Sequence, residues 1–185
     1  METIKEKYIR IRPFIKQGDL ILFHGRKPLA RIIQQSDSKA YFNHVGVIGE
    51  IAGSFFIIDS NAPGVKPDRL SDRVYSYENG DFLIIRSEKS KKEITNALKK
   101  LLKKADQVKY KYDYINGGKA LFNRWFGTKF KIKLDPYRKI CSEFTLPYAV
   151  ELEVVFPYEE IENNLFFPQD YIRRSNKVIM IGVNE

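Results

Sequence analysis

Apolar residues come in short runs separated by turn-forming residues along the chain. Leu20-Ile21-Leu22-Phe23 follows the turn Gln17-Gly18-Asp19 and predicts a buried strand that ends at His24-Gly25. Asn43 to Gly49 and Phe55 to Asp59 predict two further strands, joined as a hairpin with Ala52-Gly53 near its tip. Phe82 to Arg86 predicts another strand, Glu153 to Phe156 a short one, and Val178 to Val183 a final one. Val65-Lys66-Pro67 is a short edge strand at best, because Pro67 cannot donate to a ladder. Helical spacing marks Pro28 to Gln35 and, more strongly, Ser90 to Ala105. The second of these carries an apolar stripe of Ile94, Leu98, Leu101, Leu102 and Ala105, lysines opposite, and a capping box of Ser90 with Glu93. Ile115 to Phe126 reads as a weaker helix, interrupted by Gly117-Gly118. Glu143 to Leu152 is helix-competent, and Pro147 should kink it or end its first segment. Residues 1–16 form an N-terminal arm or short helix, with Pro13 against one continuous helix.

Strands cluster in the middle, with helices before and after. That order predicts an α+β fold with a mainly antiparallel sheet packed with helices. Residues 1–185 read as one domain, with no repeat and no linker to divide them. Hydrophobic residues make up 43% of the chain, enough for a real core.

Charge adds a question about partners. The net charge is +9, with lysines clustered at 89–92, 99–104 and 129–133. Such a balance favours anionic partners, although a solvated lysine face is the plainer reading. No zinc-finger, RRM or KH signature accompanies it, so nucleic acid is the less favoured partner. Met1 to Lys5 begins no signal peptide, and no apolar run is long enough to span a bilayer. The expectation is a cytoplasmic protein with no membrane span. A single cysteine rules out an internal disulfide, which fits a reducing compartment.

That cysteine is the candidate for chemistry. Cys141 stands where the helix after Ile140 begins, facing unpaired N–H groups and the positive end of the helix dipole. Such a position favours a thiolate and suits a nucleophile. Upstream, His44 sits inside an apolar strand and Asp59 ends the next one. A histidine takes the thiol's proton and a third polar group orients the ring. If the hairpin ends face each other, His44 and Asp59 are cross-strand neighbours, whereas a shift of two brings Asn61 opposite His44. His24, at a strand end, fits a surface role. No zinc-ligand spacing and no phosphate loop is present, so neither a metal nor a cofactor is expected.

The chain resembles the circularly permuted papain-like proteins, the YiiX-like group related to NlpC-type cell-wall peptidases. The matching residues are Gly18-Asp19-Leu20-Ile21, His44-Val45-Gly46-Val47, Ile58-Asp59-Ser60, Gly64-Val65-Lys66-Pro67, Tyr112-Asp113-Tyr114, Cys141-Ser142-Glu143-Phe144 and Pro168-Gln169-Asp170. Their order covers roughly residues 17–183. In this group the His strand precedes the Cys helix, the reverse of ordinary papain-like enzymes. The resemblance implies a permuted papain-like fold, with Cys141 as nucleophile, His44 as general base and Asp59 as the orienting acid. It puts Tyr112 near the active site, and Tyr112 and Ser142 are taken as substrate-binding. Two positions depart from the pattern: Asp59 replaces a glutamate, and Phe144 and Pro147 replace an aliphatic run.

Two functions follow. One is a cysteine hydrolase, an amidase or peptidase cleaving a peptidoglycan-like peptide or an N-acyl amino acid. Related permuted proteins keep acyltransferase and esterase chemistry open. The other is a non-catalytic module binding nucleic acid or an anionic surface through its lysines. The enzyme is favoured, because basic composition alone points poorly to nucleic acid.

Overall fold

The computed structural model describes residues 2–25, 41–61, 64–77, 80–108, 141–155, 168–173 and 179–181. The N-terminal segment is a helix, α1 (Ile4–Ile11). Thr3 caps it through a hydroxyl that accepts from the Glu6 N–H, while the Glu6 carboxylate accepts from the Thr3 N–H. Pro13 falls in a single 3-10 turn, Arg12–Phe14, where the α-helix has already ended.

The strands are β1 (Leu20–His24), β2 (His44–Ile51), β3 (Ser54–Asn61), β4 (Gly64–Arg69), β5 (Asp81–Arg86) and β6 (Ile179–Ile181). They form one six-stranded sheet in the order β4-β3-β2-β1-β5-β6. Every neighbouring pair is antiparallel, as the α+β reading expected. The described helices after α1 are α2 (Leu70–Tyr75), α3 (Lys91–Val108), α4 (Cys141–Glu151) and α5 (Asp170–Arg173). None is long and apolar enough to cross a membrane.

Helices cover both faces of the sheet. Ile21, Phe23, Ile48, Ile57, Phe82 and Ile84 pack under α1 and α2. Leu20, Leu22, Val45, Val47, Leu83 and Ile85 pack under α3, α4 and Tyr171 of α5. This is why β1 and β5 read as unbroken apolar runs, since a strand buried on both faces has no polar side to alternate with. The sheet is pinned at one end by a buried ion pair. Arg86 donates from Nε and Nη2 to the two Asp19 oxygens, at 2.8 and 2.7 Å.

Several sequence expectations need correction. In α3, Leu102 faces solvent and Ala97 is buried in its place. The Ser90–Glu93 capping box forms as expected. Helix α4 does not stop at Pro147 but runs on to Glu151. Pro147 is exposed, so water can reach the carbonyl whose helical hydrogen bond the proline removes. Of the strand expected over Glu153 to Phe156, Val155 keeps only an isolated bridge, Phe156 lies outside the described residues, and Glu153 belongs to a helix ending. Glu153 takes a left-handed φ of 55°, and the Val154 N–H returns to the Ala149 carbonyl at 2.8 Å. Edge strand β4 is longer than expected, and Pro67 is tolerated because no described strand lies on its outer side. Helix α2 was not foreseen, because its buried pair Leu70 and Val74 is too short a signal to show a period. The helices expected at Pro28 to Gln35 and Ile115 to Phe126, the aromatic stretch from Tyr110 and the basic loop from Gly127 lie outside the described residues.

Candidate active site

His44 is the first residue of β2. Its Nε2 lies 2.7 Å from Asp59 Oδ2, and both side chains are buried. The hairpin turn at Ala52-Gly53, with φ of 49° and 74°, sets Ile51 against Ser54 and Val47 against Ile58. Counting on from there puts Asp59 across from Gly46 and Asn61 in line with His44. The register is therefore the shifted one of the two considered, yet the carboxylate still comes from Asp59, along the diagonal.

Gly46 makes that diagonal possible. A Cβ there would lie 2.6 Å from Ile57 Cδ1 and 3.1 Å from Asp59 Cβ. Gly46→Ala is expected to destabilise the fold by about 1–3 kcal/mol through overpacking. It should also push Asp59 away from His44. Urea unfolding together with the NMR titration of His44 checks both; an unchanged histidine titration would show that Gly46 does not guard the contact.

Asp59 has a second partner. Its Oδ1 faces Arg73 Nη2 at 3.4 Å, and the same Nη2 donates to Asp68 Oδ2 at 2.6 Å. Arg73 comes from α2 and Asp68 from β4. Sequence reasoning missed Arg73, which sits in a polar stretch with nothing to set it apart from a surface arginine.

Cys141 is the first residue of α4 and only 4% exposed. It belongs to the core layer under α3 and α4, while His44 pairs with Phe23 on the opposite face. The two meet because His44 heads its strand, where a side chain can reach round the end of the sheet. There the imidazole and the Cys141 thiol come close enough to act on each other electrostatically. With Nε2 held by Asp59, Nδ1 is the nitrogen left for sulfur.

The first turn of α4 is braced from behind. The Thr145 hydroxyl donates to the Cys141 carbonyl at 3.1 Å, and the Tyr171 hydroxyl donates to the Ser142 carbonyl at 2.9 Å. Ser142 itself is fully buried, and its Oγ has no partner among the described residues. Tyr112 lies outside those residues. His24 stacks on Tyr41 with centroids 4.0 Å apart, and its Nδ1 lies 2.8 Å from the Tyr41 carbonyl, apart from the Cys141–His44 cluster.

Burial pushes the His44 imidazole down. Tyr77, Cys141 and Asp59 together outweigh that and hold its pKa well above the ordinary value. Tyr77 is itself raised by burial, so its phenol is neutral at physiological pH. The stability consequence has a definite sign. With the folded pKa above the unfolded value of about 6.5, the contribution of His44 is complete below about pH 6.5 and is lost as pH rises through the folded value. The loss runs at up to about 1.4 kcal/mol per pH unit. Unfolding titrations of the parent and His44→Asn, run upward from about pH 6.5, should converge. Parallel curves would contradict the shift.

No protein-family model matches the chain, and no curated protein is similar to it. Among solved structures, it is similar to the crystal structure of the metalloprotein YiiX from Escherichia coli O157:H7, described as DUF1105. The TM-score is 0.62, with 14% sequence identity over 90% of this chain and 96% of that one. At that identity the likeness is one of fold. The chain has the YiiX fold, as the resemblance of its motifs implied.

Proposed function

We propose that the chain is a cysteine hydrolase acting on an amide bond in a small peptide or acylated amino acid, on a permuted papain-like fold. The observation that carries this reading is a single buried imidazole hydrogen-bonded to the Asp59 carboxylate and in electrostatic reach of the Cys141 thiol. Asp59 holds the Nε2 proton, fixes the tautomer and leaves Nδ1 to take the proton of Cys141. The sulfur then attacks the carbonyl carbon. Backbone N–H groups at the start of α4 receive the oxyanion. Breaking the C–N bond releases the amine, which takes its proton from the imidazolium, and leaves a thioester. Water, giving a proton to His44, attacks that thioester and frees the acid and the thiol. Arg73 backs the Asp59 carboxylate, so one methylene less than glutamate still reaches the ring.

YiiX is called a metalloprotein. The described residues around His44 do not fit a resident metal. Among the described residues no three His, Cys, Asp or Glu side chains converge as ligands. Asp59 Oδ1 faces the Arg73 guanidinium, a cation where a metal would need a ligand. No step above uses one.

The test is intact-mass detection of an acyl adduct on Cys141 after exposure to a panel of amides, esters and thioesters. Acylation of the parent, slowed in His44→Ala, is the expected result. Hydrolysis and transfer to a second acceptor pass through the same thioester, so the released product, not the adduct, tells them apart. No adduct and no turnover across the panel would overturn the reading.

A further inference from the structure

Two stretches of backbone carry the thiol and the imidazole, and residues 168–173 hold both. The first stretch, residues 41–43, leads into His44 at the head of β2. Beyond the last ladder pair, Phe23 with His44, the Asn43 N–H still donates to the Phe23 carbonyl at 2.9 Å. The Asn43 amide grips the Gly25 backbone, with Nδ2 donating to the carbonyl at 3.0 Å and Oδ1 accepting from the N–H at 3.2 Å. That ties the lead-in to β1. Gln169 ties it to the far end of the chain, because its Oε1 accepts from the Tyr41 N–H at 2.8 Å and from the Phe42 N–H at 3.1 Å. Two backbone donors on one atom fix that atom as the amide oxygen.

Two residues further on, Tyr171 reaches the second stretch, the first turn of α4. Its hydroxyl donates to the carbonyl of Ser142, the residue after Cys141, at 2.9 Å. The Thr145 hydroxyl, itself bonded to the Cys141 carbonyl, lies 2.6 Å from the Tyr171 oxygen. Tyr171, Thr145 and Ser142 are fully buried, so these bonds are made away from water and are costly to leave unmade. Gln169 and Tyr171 share one hydrogen-bonded turn. The Tyr171 N–H meets the Pro168 carbonyl at 3.3 Å, and the Ile172 N–H meets the Gln169 carbonyl at 3.1 Å. A segment kept only to close the core would need the Tyr171 ring, but neither its hydroxyl nor the Gln169 acceptor.

We propose that Gln169 and Tyr171 are positioning residues, and that the turn carrying them sets the spacing of His44 and Cys141 by holding the lead-in to β2 and the first turn of α4 at once. His44 heads a strand and Cys141 heads a helix packed on the sheet. Neither the strand register nor the helix's own hydrogen bonds therefore sets the distance between them. The catalytic consequence rests on the hydrolase reading, but the effect on the pair does not.

The readout is the coupling between His44 and Cys141. It is the difference in His44 titration midpoint, by ring-proton NMR, between a protein with its thiol and the same protein carrying Cys141→Ala. Asp59, Arg73 and Tyr77 also face His44 or its carboxylate, but they are common to both proteins and cancel from the difference. Three variants are compared with the parent. Gln169→Met keeps the size and removes the acceptor. Gln169→Glu restores an acceptor, and the charge it adds cancels in the same way. Tyr171→Phe keeps the buried ring and removes the hydroxyl. In Gln169→Met and Tyr171→Phe the difference is expected to shrink by at least about 0.4 unit, roughly twofold in the coupling constant, and in Gln169→Glu to return. Gln169 is half-buried, so Gln169→Met is expected to fold and serves alone should Tyr171→Phe not. An undiminished difference in the variants that fold would overturn the proposal, and so would a parent that shows no difference. A difference that shrinks in a protein with no acylation and no turnover upholds the proposal and removes the hydrolase reading. Turnover with an unchanged difference does the reverse.

Discussion

Cys141→Ala is expected to abolish turnover, with a loss of at least about 10⁴-fold on any substrate the parent cleaves. The fold should survive it. Cysteine and alanine are close in size, and the removed sulfur gives up only its electrostatic interaction with His44. Its neighbours in the core, Phe144, Tyr148 and Ala149, stay in place with the rest of α4. Circular dichroism and thermal unfolding would confirm folding, and a turnover assay would read the loss. Substantial activity in a folded Cys141→Ala protein would exclude this thiol as the nucleophile, whatever its neighbours. Since Cys141 is the only cysteine, no second thiol can take over.

Asp59→Ala carries the largest expected cost in stability, about 3–5 kcal/mol. Asp59 is fully buried and ion-paired on both oxygens, to His44 at 2.7 Å and Arg73 at 3.4 Å. Removing it strands two groups. Arg73 retains Asp68, so the harsher loss falls on His44. Asp59→Asn is the gentler probe, because it keeps the volume and part of the hydrogen bonding while removing the charge. Its expected effect is a fall in turnover of about 10⁴-fold, the size seen when the acid of such a triad is made neutral and the imidazole tautomer is lost. Urea unfolding measures the alanine variant, and steady-state rates measure the asparagine one. Full activity in Asp59→Asn would mean that His44 is oriented by something else.

Much of this was legible in advance. The turn at Gln17-Gly18-Asp19 and the apolar run after it mark β1, and Ala52-Gly53 marks the hairpin tip. Ser90 and Glu93 announce the start of α3 by chemistry that works within one turn. What misled was equally local. Pro147 signals a break that its exposed position makes unnecessary. Leu102 completes a stripe on paper, but the core closes over Ala97 instead. Val154 and Val155 look like the start of a strand, yet Glu153 folds back to end α4, Val154 lies in the bend after it, and Val155 makes only an isolated bridge.

The sequence by itself determined the central strands, the start of α3 and the residue types able to do thiol chemistry, because those follow from side-chain period and turn chemistry over a few residues. It named Cys141, His44 and Asp59 as candidates from their places on such elements. Only the tertiary structure decided how they meet. The diagonal from Asp59 to His44 depends on an empty space at Gly46, and the contact between His44 and Cys141 depends on two core layers closing round one end of the sheet. Arg73 joined them from α2, because burial brings charges together across the fold without regard to their spacing in the chain.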